Sequence, residues 1–136
     1  MCGLSRRKST ITTIGDMRIG LNATALVAKA SVEAFVEHAQ AAEADGFESY
    51  WVAEHPTGGL DALTVLTVVG QSVRTMALGT AVIPTYPRHP MVLAGQALTA
   101  QSSMDGALTL GVGLSHQPMM SELGLTDDKP IRHLRD

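Results

Sequence analysis

The sequence predicts an α/β fold built on a parallel sheet, and three observations carry that prediction. Short apolar, strand-like runs begin near residues 17, 48, 76 and 107, a spacing of about 30 residues that suits successive βαβ units. Between them lie segments with helical apolar spacing and helix-starting residues. The last run, "ALTLGVGLS", puts Leu108, Leu110, Val112 and Leu114 on one face and Thr109, Gly111, Gly113 and Ser115 on the other, so one face is expected to pack on helices while the other stays small. Alternating strands and helices imply right-handed crossovers, in either a (β/α) barrel or an open doubly wound sheet. In both, ligands gather at the carboxyl ends of the strands.

The elements follow in order. The first strand is "MRIGLNA". Ser31 caps the first helix, with Glu33 in its first turn; Val32, Phe35, Val36 and Ala39 form the i, i+3, i+4, i+7 stripe that buries one face, and Gly46 supplies a left-handed stop. The second strand, "SYWVAEH", leads to an Asp61 cap and a helix through "ALTVLTVVGQSV", apolar nearly all round as a helix packed on a sheet can be. The third strand is "MALGTAVI". Pro90 then occupies the first turn of a helix running to Asp105-Gly106, where its missing N–H costs nothing. After the fourth strand, "DDKPIRHLRD" reads as the capped start of a further helix. A full barrel takes about 250 residues, so four strand–helix units are expected to be the N-terminal half of a longer, here truncated, barrel. Residues 1–16 read as a leader or extension without a fold of its own, and 17–136 as the folded part.

Composition narrows the function classes. The 136 residues are 45% hydrophobic and 17% charged, with a formal net charge of -3. That is enough apolar surface for one core and too little charge for a disordered chain. Arg6, Arg7 and Lys8 lie in the leader, leaving seven basic against twelve acidic residues from 17 onward, a balance that argues against nucleic acid as a partner. The single cysteine, Cys2, allows neither a disulfide nor a cysteine-rich metal site within the chain and fits a reducing cytoplasm. The leader lacks the apolar segment of a signal peptide, and no stretch reaches the apolar length of a membrane span.

The carboxyl ends of the strands carry the candidate chemistry. "AEHP", "IPTYPRHP" and "GLSHQP" each contain a histidine, at His55, His89 and His116. Histidine titrates near neutrality, so imidazoles brought to one rim from separate strands suit acid/base or hydrogen-bonding work on a small ligand. Taken singly, each also reads as an ordinary surface-loop residue. Glu54 and His55 are adjacent and in an extended strand face opposite sides; His55 is the choice for the interior, with Glu54 orienting it, lining the pocket or capping the next loop. The histidines lack the i, i+4 spacing of helical zinc sites, so no metal is expected. "GVGLSH" has His116 where a dinucleotide fingerprint needs a third glycine, and its glycines make better sense as places where a flat ring meets backbone. An open nucleotide-binding sheet is disfavoured because "NATALVAKAS" lacks a glycine-rich phosphate loop.

The strings "GFESYWVAEH", "LGTAVIPTYPRHPMVLAGQALTAQSSMDGALTLGVGLSH" and "KPIRHLRD" resemble the luciferase-like monooxygenase superfamily, and within it the oxidoreductases that use coenzyme F420. The resemblance covers residues 17–136. It implies a TIM (β/α)8 barrel, of which about four β/α units of the N-terminal half are present, and hydride transfer between reduced F420, or alternatively FMN, and an organic small-molecule substrate. It further implies a non-prolyl cis peptide at Ala81-Val82 behind the ring, with Ile83 following in the same segment. Gly113, Leu114 and Ser115 would touch the ring, and His55 would donate or orient a proton beside Glu54. Some F420-dependent relatives have a glutamate where His116 stands, so His116 becomes a further catalytic candidate. Family members commonly dimerise through helices of this half, so a homodimer is implied. The alternative from another class is a non-catalytic truncated fragment or self-associating half-barrel module.

Overall fold

A computed structural model describes residues 18–27, 31–125 and 129–135. The proposed leader lies outside the described residues. In chain order the elements are β1 (Gly20–Asn22), α1 (Val32–Ala44), β2 (Ser49–Val52), α2 (Ala62–Val69), β3 (Ala77–Thr80) and β4 (Ile83–Pro84). They continue with α3 (Pro90–Ser102), β5 (Leu108–Thr109), β6 (Val112–Gly113), α4 (Gln117–Glu122) and α5 (Pro130–Arg135).

The expected caps form. Ser31 Oγ accepts from the Ala34 N–H at 3.3 Å, and Asp61 accepts from the N–H and hydroxyl of Thr64, each at 2.7 Å. Gly46 follows α1 at a φ of 90°, a conformation that costs glycine little. Helix α2 ends at Val69 rather than Val73, and α3 at Ser102 rather than at Asp105-Gly106.

All strand pairs are parallel, in the order β1-β2-β3-β5, with a second, two-stranded pairing β4-β6. One face of the main sheet is covered by helices. Tyr50, Val52 and Leu78 point into that layer and pack with Phe35, Ala39 and Leu66, the apolar burial that holds the layers together. The Tyr50 hydroxyl stays in the layer by pairing with His38 Nδ1 at 2.9 Å. On the opposite face Trp51 donates from Nε1 to Ser49 Oγ at 2.9 Å. Its ring leaves no room for side chains next door: a Cβ on Gly79 would come within 2.3 Å of it, and one on Gly20 within 3.0 Å of Nε1.

Two sequence expectations need correction. The third and fourth strands, expected to be continuous through Met76–Ile83 and Ala107–Ser115, are each broken into two short pieces. Leu110 and Val112, expected against helices, are 37% and 44% exposed. The cause is a change of partner, because β3 and β5 end where hydrogen bonds around Gly111 hand the chain to the β4-β6 pairing.

Burial pushes the Tyr50 phenol from 10.0 up to about 12. The folded chain therefore keeps this proton to higher pH than the unfolded chain. Stability from this group is complete below pH 10 and is lost as pH rises through about 12. Urea midpoints measured across that window should fall more steeply for the native chain than for Tyr50→Phe; parallel slopes would contradict the assignment.

Candidate functional site

The strand ends are tied together by main-chain bonds. Beyond β2, the Glu54 N–H donates to the Val82 carbonyl at 3.1 Å, and the Ala81 N–H donates back to Val52 at 2.9 Å. Beyond β3, the Ile83 N–H donates to Gly111 and that of Thr85 to Gly113, each at 2.9 Å. Ala81 and Val82 lie between these anchors, and the Ala81–Val82 peptide is cis.

Ala81, Val82 and Pro84 border a pocket of about 290 Å3, together with Glu54, His55 and Pro56. Ser115, His116 and Met119 complete it from beyond β6, and Thr24 from beyond β1. Ends of several strands thus meet at one cavity, and six of the residues singled out from sequence line it: Glu54, His55, Ala81, Val82, Ser115 and His116. Its size and its mix of apolar walls with a few polar groups suit a ring-sized organic ligand.

The remaining predicted residues are placed differently. Ile83 is fully buried in the core, so its side chain cannot reach a ligand in the pocket. Gly113 and Leu114 do not line the pocket. The glycines serve neighbouring parts of the chain: a Cβ on Gly113 would lie 2.8 Å from Val82 Cγ2, and one on Gly111 would lie 2.1 Å from the Thr80 carbonyl oxygen. His89 is not at the pocket rim. It caps α3, its Nδ1 accepting from the Met91 N–H at 3.2 Å.

His55 is exposed at the rim, with Nδ1 3.3 Å from Thr57 Oγ1. Glu54 does not orient it. Both Glu54 carboxylate oxygens are held by Arg88 Nη2, at 2.9 and 2.8 Å, and one also accepts from the Ala62 N–H at 3.4 Å. The same guanidinium nitrogen bonds Asp61. Burial pushes the Glu54 carboxyl above its ordinary value, outweighing the attraction of Arg88, and the Asp61 charge adds to the rise. For Asp61, burial is the largest influence and raises it. The two Thr64 bonds and Arg88 together bring it below its ordinary value.

Arg88 was missed as a site-related residue, although it lies in "IPTYPRHP"; a basic side chain among prolines has no periodic signal pointing inward. The described residues include no group of three or more His, Cys, Asp or Glu that could hold a metal ion, and no helix long and apolar enough to cross a membrane.

Over residues 15–136 the sequence matches the luciferase-like monooxygenase family. The chain belongs to this family. Among its relatives, it is 27% identical over 95 residues to a 5,10-methylenetetrahydromethanopterin reductase of Archaeoglobus fulgidus, covering 70% of this chain and 28% of the relative. It is 38% identical over 98 residues to an F420-dependent glucose-6-phosphate dehydrogenase of Mycobacterium avium, covering 62% and 29% respectively. The fold matches the oxygenating constituent of the 3,6-diketocamphane monooxygenase of Pseudomonas putida, solved in complex with FMN, at a TM-score of 0.73 and 17% identity, over 88% of this chain and 38% of that one. The family membership and the shared fold make the parallel sheet of this chain part of a TIM barrel. The chain spans less than a third of the length of these two curated relatives.

Ser115, at the pocket rim, has a φ of 66°, in the left-handed region that disfavours branched side chains. Ser115→Val should lower stability, because serine already carries a Cβ in this region and valine adds β-branching, which makes it an outlier there. Ser115→Gly should stay within about 1 kcal/mol of the parent. Urea unfolding measures both, and equal effects would count against strain at this position.

Proposed function

We propose that this chain supplies the ring-facing part of an oxidoreductase that moves hydride between reduced coenzyme F420 and an organic substrate, with FMN as the alternative cofactor. The observation that carries the reading is the convergence of the strand ends on one pocket, with Ala81 and Val82 at its wall and His55 and His116 at its rim. The names of the F420-dependent relatives favour the deazaflavin; the FMN complex of the diketocamphane enzyme keeps the flavin in view.

The residues fit a ring better than a phosphate tail. Ala81, Val82 and Pro84 offer an apolar wall, while the two imidazoles and the Ser115 hydroxyl offer hydrogen bonds at its edge. The reduced coenzyme, when bound, supplies the hydride. His55 is exposed enough to meet substrate and would hold or deliver a proton at the accepting atom, with Thr57 steadying Nδ1. His116, which also lines the pocket, would do the same. Glu54, tied to Arg88, takes no part in proton transfer in this reading.

A second reading, a self-associating module without catalysis, is favoured by one feature. A groove of about 580 Å3 runs between α2 and α3 and is lined in part by the exposed apolar side chains Val68 and Val92. Such a patch suits a protein interface, and a homodimer through it is compatible with either reading. The cytoplasmic location proposed from the single cysteine is likewise compatible with both.

Titrating the purified chain with reduced F420 and with reduced FMN separates the readings. Saturable binding of F420, abolished by Val82→Asp and weakened no more than about threefold by His55→Ala, is the expected result for a rim proton donor that is not a cofactor anchor. Saturation with neither cofactor would remove the ring-site reading for this chain.

A further inference from the structure

Arg88 is the most enclosed cation among those whose ion pairs are described. Its side chain is 15% exposed, against 87% for Arg18 and 70% for Arg74. It comes from the segment between β4 and α3, yet its bonds reach the loop after β2, through Glu54, and the cap of α2, through Asp61. Gln96 of α3 lies 3.5 Å from Nη1. Glu54 in turn has its main chain bonded to Val82 and its carboxylate turned to the first turn of α2. Glu54 and His55 line both the pocket and a second hollow of about 310 Å3, which Asp61 and Arg88 help to close.

A carboxylate 11% exposed and left without a partner would either repel an anionic ligand or draw its loop outward to find water. The guanidinium prevents both, because it compensates the charge and fixes its direction.

We propose that Arg88 is a positioning residue of the pocket, holding the Glu54 carboxylate against the start of α2 so that the wall facing the ligand presents His55 and a Glu54 carboxylate paired with a guanidinium. The ligand part of this inference rests on the ring-site reading above; the clasp itself does not.

The test compares Arg88→Met with the double variant Arg88→Met/Glu54→Gln, using amide hydrogen exchange in the free chain and titration with reduced F420. Arg88→Met should speed exchange at the Glu54 and Ala62 amides by about tenfold or more while β2 and β3 stay protected, as local opening does. Removing the stranded charge in the double variant should bring both amides back to within about threefold of the parent, the signature of coupled residues. Cofactor affinity should fall and recover in parallel. A purely structural arginine would give loss across the whole sheet with no recovery, and unchanged amides in Arg88→Met would overturn the clasp outright. If Arg88→Met does not fold, the double variant must fold with both amides protected, and its failure to do so refutes the proposal. A parent chain that binds no F420 sinks the ring-site reading, and the exchange data still decide the clasp.

Discussion

One buried hydroxyl decides how the strand ends are arranged. Thr80, at the end of β3, is 1% exposed, so its hydroxyl must find its partners within the protein. Its Oγ1 donates to the Gly111 carbonyl and accepts from the Gly111 N–H, both at 2.8 Å. The Gly111 N–H is thereby satisfied by a side chain instead of by the regular ladder, while its carbonyl accepts from both Thr80 Oγ1 and the Ile83 N–H. The chain can then leave the β3-β5 pairing without burying an unpaired main-chain group, which would cost as much as a lost hydrogen bond. The close approach also explains the glycine, since a Cβ there would collide with the Thr80 carbonyl.

The pocket follows from that exchange of partners. Past Thr80 the chain is pinned at Ala81 to β2 and at Ile83 to Gly111, so Ile83 turns into the core while Ala81 and Val82 border the cavity. Glu54 is then bonded to Val82 from the neighbouring loop, and Arg88 fixes its carboxylate. His55 is carried to the rim by this lattice of bonds around it, without a direct bond to Glu54.

Periodicity and caps made the layers legible: Phe35 and Ala39, the Ser31 and Asp61 caps and the Gly46 stop all appear as patterned. The strand breaks were not legible, because alternation through Leu108–Leu114 is blind to a local change of hydrogen-bond partner. The convergence of strand-end residues was readable by topology, and six of those singled out line the candidate pocket. Ile83, Gly113 and Leu114 were carried along as sequence neighbours of pocket residues, and the pleat and the packing of Val82 on Gly113 place them elsewhere. Thr80 and Arg88 act through tertiary partners 27 to 34 residues away in sequence, which no local pattern encodes.

The account stands most directly on the Thr80 hydroxyl, and the unfolding free energy of Thr80→Val in urea tests it. Valine keeps the shape and removes both bonds, stranding the Gly111 N–H, so the account predicts a loss of about 1–3 kcal/mol. A variant as stable as the parent, or more stable through added apolar burial, would contradict it.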